Sequence, residues 1–438
     1  MTTDQRPGTF AKPPREIPPD TTGQGAPSGR TQDFAGTPQA AAPQWKLAAL
    51  LAVLSMVSPF SIDTFFPSFH TIAAHFQLSA WAVQQTLTVY MLPLAAMSLV
   101  QGPLSDAMGR RPVILAGLST YTLASIGCTF APNFGSLLVF RALQGTSAGV
   151  GVIVGRAVIR DLYEGPQAQK LLGLVTMIFA FAPAVAPVIG GWIQVLLGWR
   201  GVFGFMVAIG TALGLAAYVL LPETHPRELR PRLHVGELAA TAWGIVRHDE
   251  FLLLATAMGA NFAAMMSFIG AAPAVVEDHW HLRETQFAHL FLPVIGGLLT
   301  GGWVSGRLAG RVTYAVQSRL GFILALSGSG FMTLLQALLV EPPILLQQAA
   351  LCTIALGVQI ASPTLSLRML DLFPRARGSA ASVQSCVSIA ISAIVFGFLS
   401  PMLSGSMLTL SEGSFCAALT AFALWNLSQH AVARARVA

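Results

Sequence analysis

Long apolar runs recur along this chain, and they constrain its fold more than any other feature. Twelve stretches are long enough to cross a bilayer, which takes about 20 mostly apolar residues. They lie at 47–68, 80–100, 112–131, 136–158, 169–195, 199–221, 251–275, 287–309, 318–340, 343–367, 378–402 and 406–430. Only 10% of the 438 residues are charged, whereas soluble domains carry about 25%. Because a soluble fold this apolar could not cover its surface, we expect a polytopic membrane protein.

The apolar runs form two sets of six, and this division predicts the domain organisation. Residues 1–44 are rich in Pro, Gly, Thr and Gln, so they cannot bury enough apolar area to fold alone. We expect them to be a disordered cytoplasmic tail. A first six-helix bundle is predicted at 45–222 and a second at 251–432. The longest polar segment, 223–250, is predicted to be a cytoplasmic linker between the two bundles.

Basic residues predict the orientation, because cytoplasmic loops of membrane proteins carry an excess of Lys and Arg. The loops that follow the even-numbered spans hold eleven of them: Arg110, Arg111, Arg160, Lys170, Arg227, Arg230, Arg232, Arg247, Arg311, Arg375 and Arg377. The opposite loops hold only Arg200 and Arg283, close to span ends. Both termini are therefore expected in the cytoplasm. The net charge of +6 is spread over these short clusters, so we expect the bilayer as a partner and no nucleic acid.

Two charged residues, one acid and one base, lie well inside predicted spans, where charges are expensive and are functional by default. Asp63 is in the first span, in its outer half by residue count, and Arg141 is in the fourth. A carboxylate there is a good proton carrier, because burial favours its neutral form and a cation favours its charged form. We predict a proton-linked role for Asp63 and Arg141. The alternative is a buried ion pair that only fixes helix packing.

The loop after the second span contains the most specific motif, GPLSDAMGRR. Gly102 and Gly109 allow a tight turn and close helix approach. Asp106 lies where it could pair with an Arg on a neighbouring helix end, while Arg110 and Arg111 would anchor at the inner headgroups. A related stretch, GWVSGRLAGR, follows 200 residues later without the acid. This repeat supports a chain made of two similar halves.

The fifth span carries two prolines and two adjacent glycines. Pro183 and Pro187 remove backbone donors, which predicts a kink in the helix. Gly190 and Gly191 permit the close approach of another helix. Packing alone would explain these four residues, and a conformational role is the alternative.

Four stretches together resemble the major facilitator superfamily of membrane transporters. GPLSDAMGRR looks like motif A between helices 2 and 3, and LVFRALQGTSAG (138–149) resembles motif B on helix 4. APAVAPVIGG (182–191) resembles the antiporter motif C, although Ala186 stands where the family usually has Gly. LPET (221–224) resembles the close of helix 6. The resemblance implies that Pro183 and its partners act as a hinge or a seal between the exit pathway and the cytoplasm.

Three further stretches are similar to the bicyclomycin and chloramphenicol resistance (Bcr/CflA) family within that superfamily. They are SIDTFFP (61–67), VQQTLTVY (83–90) and GRAVIRD (155–161). The resemblance covers the first six spans and fades after residue 230, where RGSA (377–380) is its clearest trace. It implies an all-α membrane protein of 12 transmembrane helices in two six-helix bundles. It also implies a proton-driven drug exporter of the bacterial inner membrane.

The expected function is export of small hydrophobic or amphipathic drugs in exchange for inward protons. We expect a monomer without cofactor or metal. We also expect that the protein is not an enzyme, since no phosphate loop, nucleotide fingerprint or catalytic triad occurs in the sequence. Polar residues inside spans are the candidates for the substrate cavity: Gln84, Tyr90, Gln144, Asn261 and Gln359. A proton-coupled transporter of a metabolite such as an amino acid remains an alternative. A non-transporting membrane receptor or scaffold is the second alternative.

One loop on the predicted outer side has the spacing of a metal site. His279 and His281 are two residues apart, next to Glu277 and Asp278. No second cluster of ligands accompanies them. We therefore expect a solvated loop here.

Overall fold

The structure is a computed structural model that describes residues 44–231 and 233–437. The predicted disordered tail thus lies outside the described residues except for Gln44. No β-strand occurs in the described part. Its α-helices are α1 (Gln44–Ser55), α2 (Val57–Asp63), α3 (Phe69–Phe76), α4 (Ala80–Met108), α5 (Arg110–Thr129), α6 (Phe134–Ala148), α7 (Val150–Leu162), α8 (Gly165–Leu220), α9 (Val235–Val246), α10 (Asp249–Gly270), α11 (Ala288–Leu308), α12 (Tyr314–Leu338), α13 (Ile344–Asp371), α14 (Arg377–Ile394), α15 (Ser400–Leu403) and α16 (Met407–Val437).

Eleven helical stretches among the described residues are long and apolar enough to cross a membrane. The longest, Gln167–Leu220, has 54 residues and contains both the fifth and the sixth predicted spans. Gly198 divides it, because its φ of 68° and ψ of −178° are not helical. Glycine tolerates this conformation, which a side chain would strain. Division at Gly198 gives the twelve spans, and the predicted all-α membrane fold is confirmed.

The first span is broken close to Asp63. α2 ends at Asp63, and a 3₁₀ turn at Phe66–Ser68 leads into α3. Pro67 is the physical reason, since it has no N–H to donate to the carbonyl of Asp63 four residues earlier. The whole span runs from Trp45 to Phe76, which places Asp63 near its middle. Asp63 is the nineteenth of these 32 residues, so it lies just past the middle, in the half that the residue count predicted, and its depth in the membrane stays a prediction.

Small residues set the distance between the helices around Arg141. A Cβ at Gly145 of α6 would meet the carbonyl of Tyr90 in α4, and one at Gly151 of α7 would meet the carbonyl of Leu54 in α1. Such contacts are typical of membrane helices, where small residues let backbones approach. They fix α6 and α7 against α1 and α4, and they bring Arg141 of α6 beside Tyr90.

The two ends of the bundle are named here by the acids that they carry. α4 runs from one end to the other. It starts at Ala80, which lines a pocket together with Asp278, the neighbour of Glu277 in the sequence. It ends two residues after Asp106. We call these the Glu277 end and the Asp106 end. Gly109 (φ 102°) follows α4 at the Asp106 end, and Gly310 (φ 74°) follows α11 in the same way. The two copies of the sequence repeat thus lie at the C-terminal ends of α4 and α11.

Candidate functional site

Arg141 is fully buried, with 0% of its surface exposed, and aromatic rings surround its guanidinium. The guanidinium carbon lies 4.5 Å from the ring centre of Tyr90, 5.0 Å from that of Phe65 and 5.9 Å from that of Phe203. The rings come from α4, from the break after α2 and from α8. Their negative faces attract the cation and partly replace the water that burial removes.

The hydrogen bonds of Arg141 leave much of its charge without a partner. Nη1 donates to the carbonyl of Ser61 at 3.2 Å and to Oε1 of Gln144 at 2.9 Å. Nε and Nη2 are buried and have no partner among the described residues. A guanidinium has five N–H donors, and a buried donor without an acceptor is costly. This part of the membrane core is therefore built to accept another group or another arrangement.

Asp63 is buried as well, with 6% of its surface exposed. Within the described part of the chain, its carboxylate forms no hydrogen bond and no ion pair. Arg141, the basic residue expected beside it, is not within ion-pair distance. The alternative of a buried Asp63–Arg141 pair that only fixes packing is thus wrong for this conformation. The Arg141 guanidinium instead contacts the ring of Phe65 and the carbonyl of Ser61.

Gln144 connects Arg141 to α5. Its Oε1 accepts from Arg141, and its Nε2 donates to Oγ of Ser125 at 2.7 Å. The hydroxyls of Ser61 and Tyr121 are also hydrogen-bonded to each other, at 2.5 Å, and this bond joins α2 to α5. Residues from the broken first span, α5 and α6 therefore share one polar network, which a shift of any one helix would disturb.

A second charged cluster lies at the Asp106 end and centres on Arg110. The guanidinium forms ion pairs with Asp106 and, at 3.0 Å, with Asp161 of α7. It also donates to Oγ of Ser105 at 2.6 Å. Its backbone N–H donates to Oε1 of Glu223 at 3.0 Å. Asp106 thus pairs with an Arg at the start of the neighbouring helix, and one cluster joins the ends of α4, α5, α7 and α8.

Glycine is required at the corner of this cluster. Gly109 has a φ of 102°, and a Cβ there would meet the side chains of Glu223 and Arg230. Arg111 reaches the carbonyl of Tyr218 at 2.7 Å, while Gly102 has only the Ile153 side chain nearby. Asp161 and Glu223 were not predicted as site residues. Their place in the quoted stretches GRAVIRD and LPET was the available signal.

The motif C segment packs tightly at the Glu277 end. The backbone stays helical through Pro183 and Pro187. A Cβ at Gly190 would meet the carbonyl of Thr64, directly after Asp63, and one at Gly191 would meet that of Glu284. α8 therefore lies against both the broken first span and the loop that precedes α11.

The five cavity candidates do not gather in one place. Tyr90 and Gln144 belong to the Arg141 site, whereas Gln84 donates to the carbonyl of Gly270 near the Glu277 end. Asn261 is buried and its Oδ1 has no partner among the described residues. Gln359 is half-buried and lies 3.8 Å from the Cβ position of Gly302 in α11. Two of the five candidates thus contact the buried arginine or its amide partner.

Contacts between the first and the last six spans are found at the Glu277 end. Nδ1 of His70 lies 3.1 Å from Oε2 of Glu277, and Nε2 lies 3.8 Å from Oδ2 of Asp278. The Glu277 side chain is only 14% exposed. The expectation of a solvated loop is thus wrong for Glu277, because a π-helical turn at Ala274–His279 directs it to the interface. His281 stays exposed.

Comparison with known proteins gives a consistent set of relatives. Residues 51–397 match the family model described as Major Facilitator Superfamily. An uncharacterized MFS-type transporter, YdgK of Bacillus subtilis, is 31% identical over 80% of this chain and 87% of its own. A bicyclomycin resistance protein homolog of Haemophilus influenzae is 27% identical over 80% and 88%. A chloramphenicol resistance protein of Pseudomonas aeruginosa is 28% identical over 61% and 63%.

Proposed function

The chain belongs to the major facilitator superfamily, and we propose that it exports small hydrophobic or amphipathic drugs in exchange for protons. The observation that carries this proposal is the unpaired state of Asp63 and Arg141. Both are buried in the membrane-spanning part, and neither has a counter-ion in the described chain. Groups placed in the membrane at this cost are functional by default.

Asp63 is the proposed proton carrier. It lies at the end of α2, where the helix is interrupted, and interrupted helices in transporters form ion and substrate sites near the midplane. A carboxylate with no partner is neutral when protonated and needs a cation or a donor when it is not. In the proposed cycle, substrate binding and protonation of Asp63 exclude one another.

Arg141 is the proposed sensor of that proton. Its Nε and Nη2 are free donors, suited to a deprotonated Asp63 or to an acceptor group on a substrate. The carbonyl of Ser61, two residues before Asp63, already accepts from Nη1. A rotation of the short segment around Asp63 would therefore bring the carboxylate toward the guanidinium without moving α6. Loss of the proton would then be linked to a change in the first span.

The Arg110 cluster is proposed to stabilise one conformation from the cytoplasmic side. In the proposed orientation the Asp106 end faces the cytoplasm, both termini are cytoplasmic and the membrane is the bacterial inner membrane. Opening of this end would require the helix ends joined by Arg110, Asp161 and Glu223 to separate.

The membrane potential and the pH difference across the membrane can both drive the proposed transport cycle. Moving one charge is worth about 2.3 kcal/mol per 100 mV, and each pH unit adds about 1.4 kcal/mol.

Drug-like substrates are proposed because two of the relatives are named for resistance to bicyclomycin and chloramphenicol. The aromatic groups around Arg141 also suit flat or amphipathic molecules. The test is uptake of a drug panel into everted vesicles whose lumen is acidified by respiration. We expect accumulation that stops when an uncoupler removes the proton gradient. Accumulation of amino acids alone would favour a metabolite transporter, and absence of any gradient-dependent flux would favour a receptor.

A further inference from the structure

His70 and Glu277 connect the two sets of six spans at the Glu277 end, on the side opposite Asp106. His70 belongs to α3 and Glu277 to the turn after α10. We propose that this pair is a second proton-binding site, which keeps the Glu277 end closed while it holds its proton. Its place in a transport cycle rests on the proposed function, but the link between proton and closure does not.

The geometry separates Glu277 from its acidic neighbour. Oε2 of Glu277 lies 3.1 Å from Nδ1 of His70, while Oε1 is buried without a partner among the described residues. Asp278 is next in sequence, but its side chain is 57% exposed. Of these two acids, Glu277 is therefore the one withdrawn from water where the halves meet. Separation of the halves would return it to water.

The charged groups around Glu277 are mostly acidic. His70 faces it from α3, while Asp278 and Glu284 act on it from its own half. His279 contacts the carbonyl of Ser404 instead, at 2.8 Å. Burial, and then the charges of Glu284 and Asp278, raise the pKa of Glu277 from 4.5 to about 8. With the end closed, Glu277 therefore holds its proton through neutral pH.

The raised pKa determines the direction of the pH effect. In an open, hydrated state Glu277 would titrate near its ordinary value of 4.5, and in the closed state it titrates near 8. The closed state thus binds more protons between these two values, so rising pH favours opening across this window. One proton of difference changes the ratio of open to closed molecules by up to about tenfold per pH unit.

Two amide contacts between the halves at this end do not titrate. Gln84 donates to the carbonyl of Gly270, and Gln85 donates to that of Gly397 at 2.7 Å. Both bonds join the halves and are neutral, so they favour closure equally at every pH. A pocket of about 270 Å³, lined by His70, Asp278 and other residues of both halves, adjoins the pair. Water can deliver protons through it.

The direction of the effect suits exchange of drug for protons. If the Glu277 end faces the acidic outer side, the open protein is protonated there after it releases drug. Protonation of Glu277 would then favour closure and the return of a proton-loaded molecule. A molecule that has not collected this proton would stay open longer. The pair would thus reduce the fraction of molecules that close this end without having bound a proton.

The experiment measures closure directly, without substrate or transport. Spin labels are placed on Ala74→Cys and Gly405→Cys, which are exposed residues of opposite halves at this end. The native cysteines are first replaced by Ser in the full-length chain: Cys128, Cys352, Cys386 and Cys416. We expect the longer label distance to gain population as the pH rises from about 5 to about 9. In Glu277→Gln, which mimics the protonated acid, the shorter distance should persist throughout.

Two variants serve as controls. Glu341→Gln removes an exposed acid from another loop and should keep the wild-type pH response. His70→Gln keeps a polar side chain but removes the ring that contacts Glu277 from the other half, so it should weaken closure and open at lower pH than wild type. A pH response in Glu277→Gln equal to that of wild type, or none in wild type, would overturn the proposal. Because no drug is present, failure here is distinct from failure of drug export.

Discussion

Two arginines of this chain are similar in burial and opposite in pairing. Arg110 is 8% exposed and has two carboxylates and a hydroxyl around its guanidinium. Arg141 is fully buried among three rings and pairs with no carboxylate of the described residues. The comparison teaches that burial alone does not define a functional charge. The Arg110 cluster satisfies its charges in one arrangement, whereas the Arg141 site leaves charges available for another.

Stability and function should therefore respond in opposite ways at the two sites. Removing Arg110 from its ion cluster leaves two partly exposed carboxylates, Asp106 and Asp161, without their common partner. Replacing an unpaired buried cation by an apolar side chain relieves a desolvation cost, and such replacements are often neutral or stabilising. Each variant below tests one side of this contrast.

Arg141→Met should have the largest effect on transport. We expect drug export to fall by at least about 100-fold, with thermal stability equal to or above that of wild type. Everted-vesicle uptake and the unfolding temperature of the purified protein measure the two. Arg200→Met, which removes an arginine that lies over Trp199 at 4.2 Å, is the control and should retain transport. A strongly destabilised Arg141→Met would show that the charge is structural.

Arg110→Met should behave in the reverse way. Asp106 and Asp161 would lose their common partner, and the conformation with these helix ends together should lose about 1–3 kcal/mol. We expect a lower unfolding temperature, reduced transport and unchanged drug affinity, since the cluster is remote from Asp63. Equal loss of affinity and transport in the purified protein would contradict this.

Gly190→Ala should have a smaller effect that reaches the Arg141 site through the backbone. Its methyl group would meet the carbonyl of Thr64, so α8 must move away from the segment that carries Asp63. We expect transport to fall by about tenfold with membrane insertion retained. Gly173→Ala is the matched control in the same span, because a Cβ there meets nothing within 4 Å. Equal activity of the two variants would show that the contact between Gly190 and the Thr64 carbonyl does not affect transport.

The sequence predicted the helical spans and the two interior charges because both follow from local composition. Asp63 and Arg141 stand out as charges among apolar residues, whatever the packing. Their separation could not be predicted, since it depends on which groups occupy the guanidinium. Pro67 was a local signal for the break at Asp63, because its missing N–H faces a known carbonyl.

Long-range contacts explain what the sequence did not predict. Asp161 and Glu223 lie far apart in the chain, and only the packing of α7 and α8 against α5 brings them to Arg110. Glu277 looked like part of a polar loop, and its burial depends on His70, more than 200 residues away. The hydrophobic periodicity of single helices does not predict contacts between residues so far apart in the sequence.

If a proton and a drug compete at Asp63, drug binding must release that proton. Purified protein in weak buffer receives a neutral drug while an indicator dye records the pH. We predict release of about one proton per bound drug by wild type and none by Asp63→Asn, which keeps the side-chain size but carries no proton. The double variant Asp63→Asn, Arg141→Ala controls for the charge left unpaired. Wild-type proton release by Asp63→Asn would contradict the account and leave Asp63 as a packing residue.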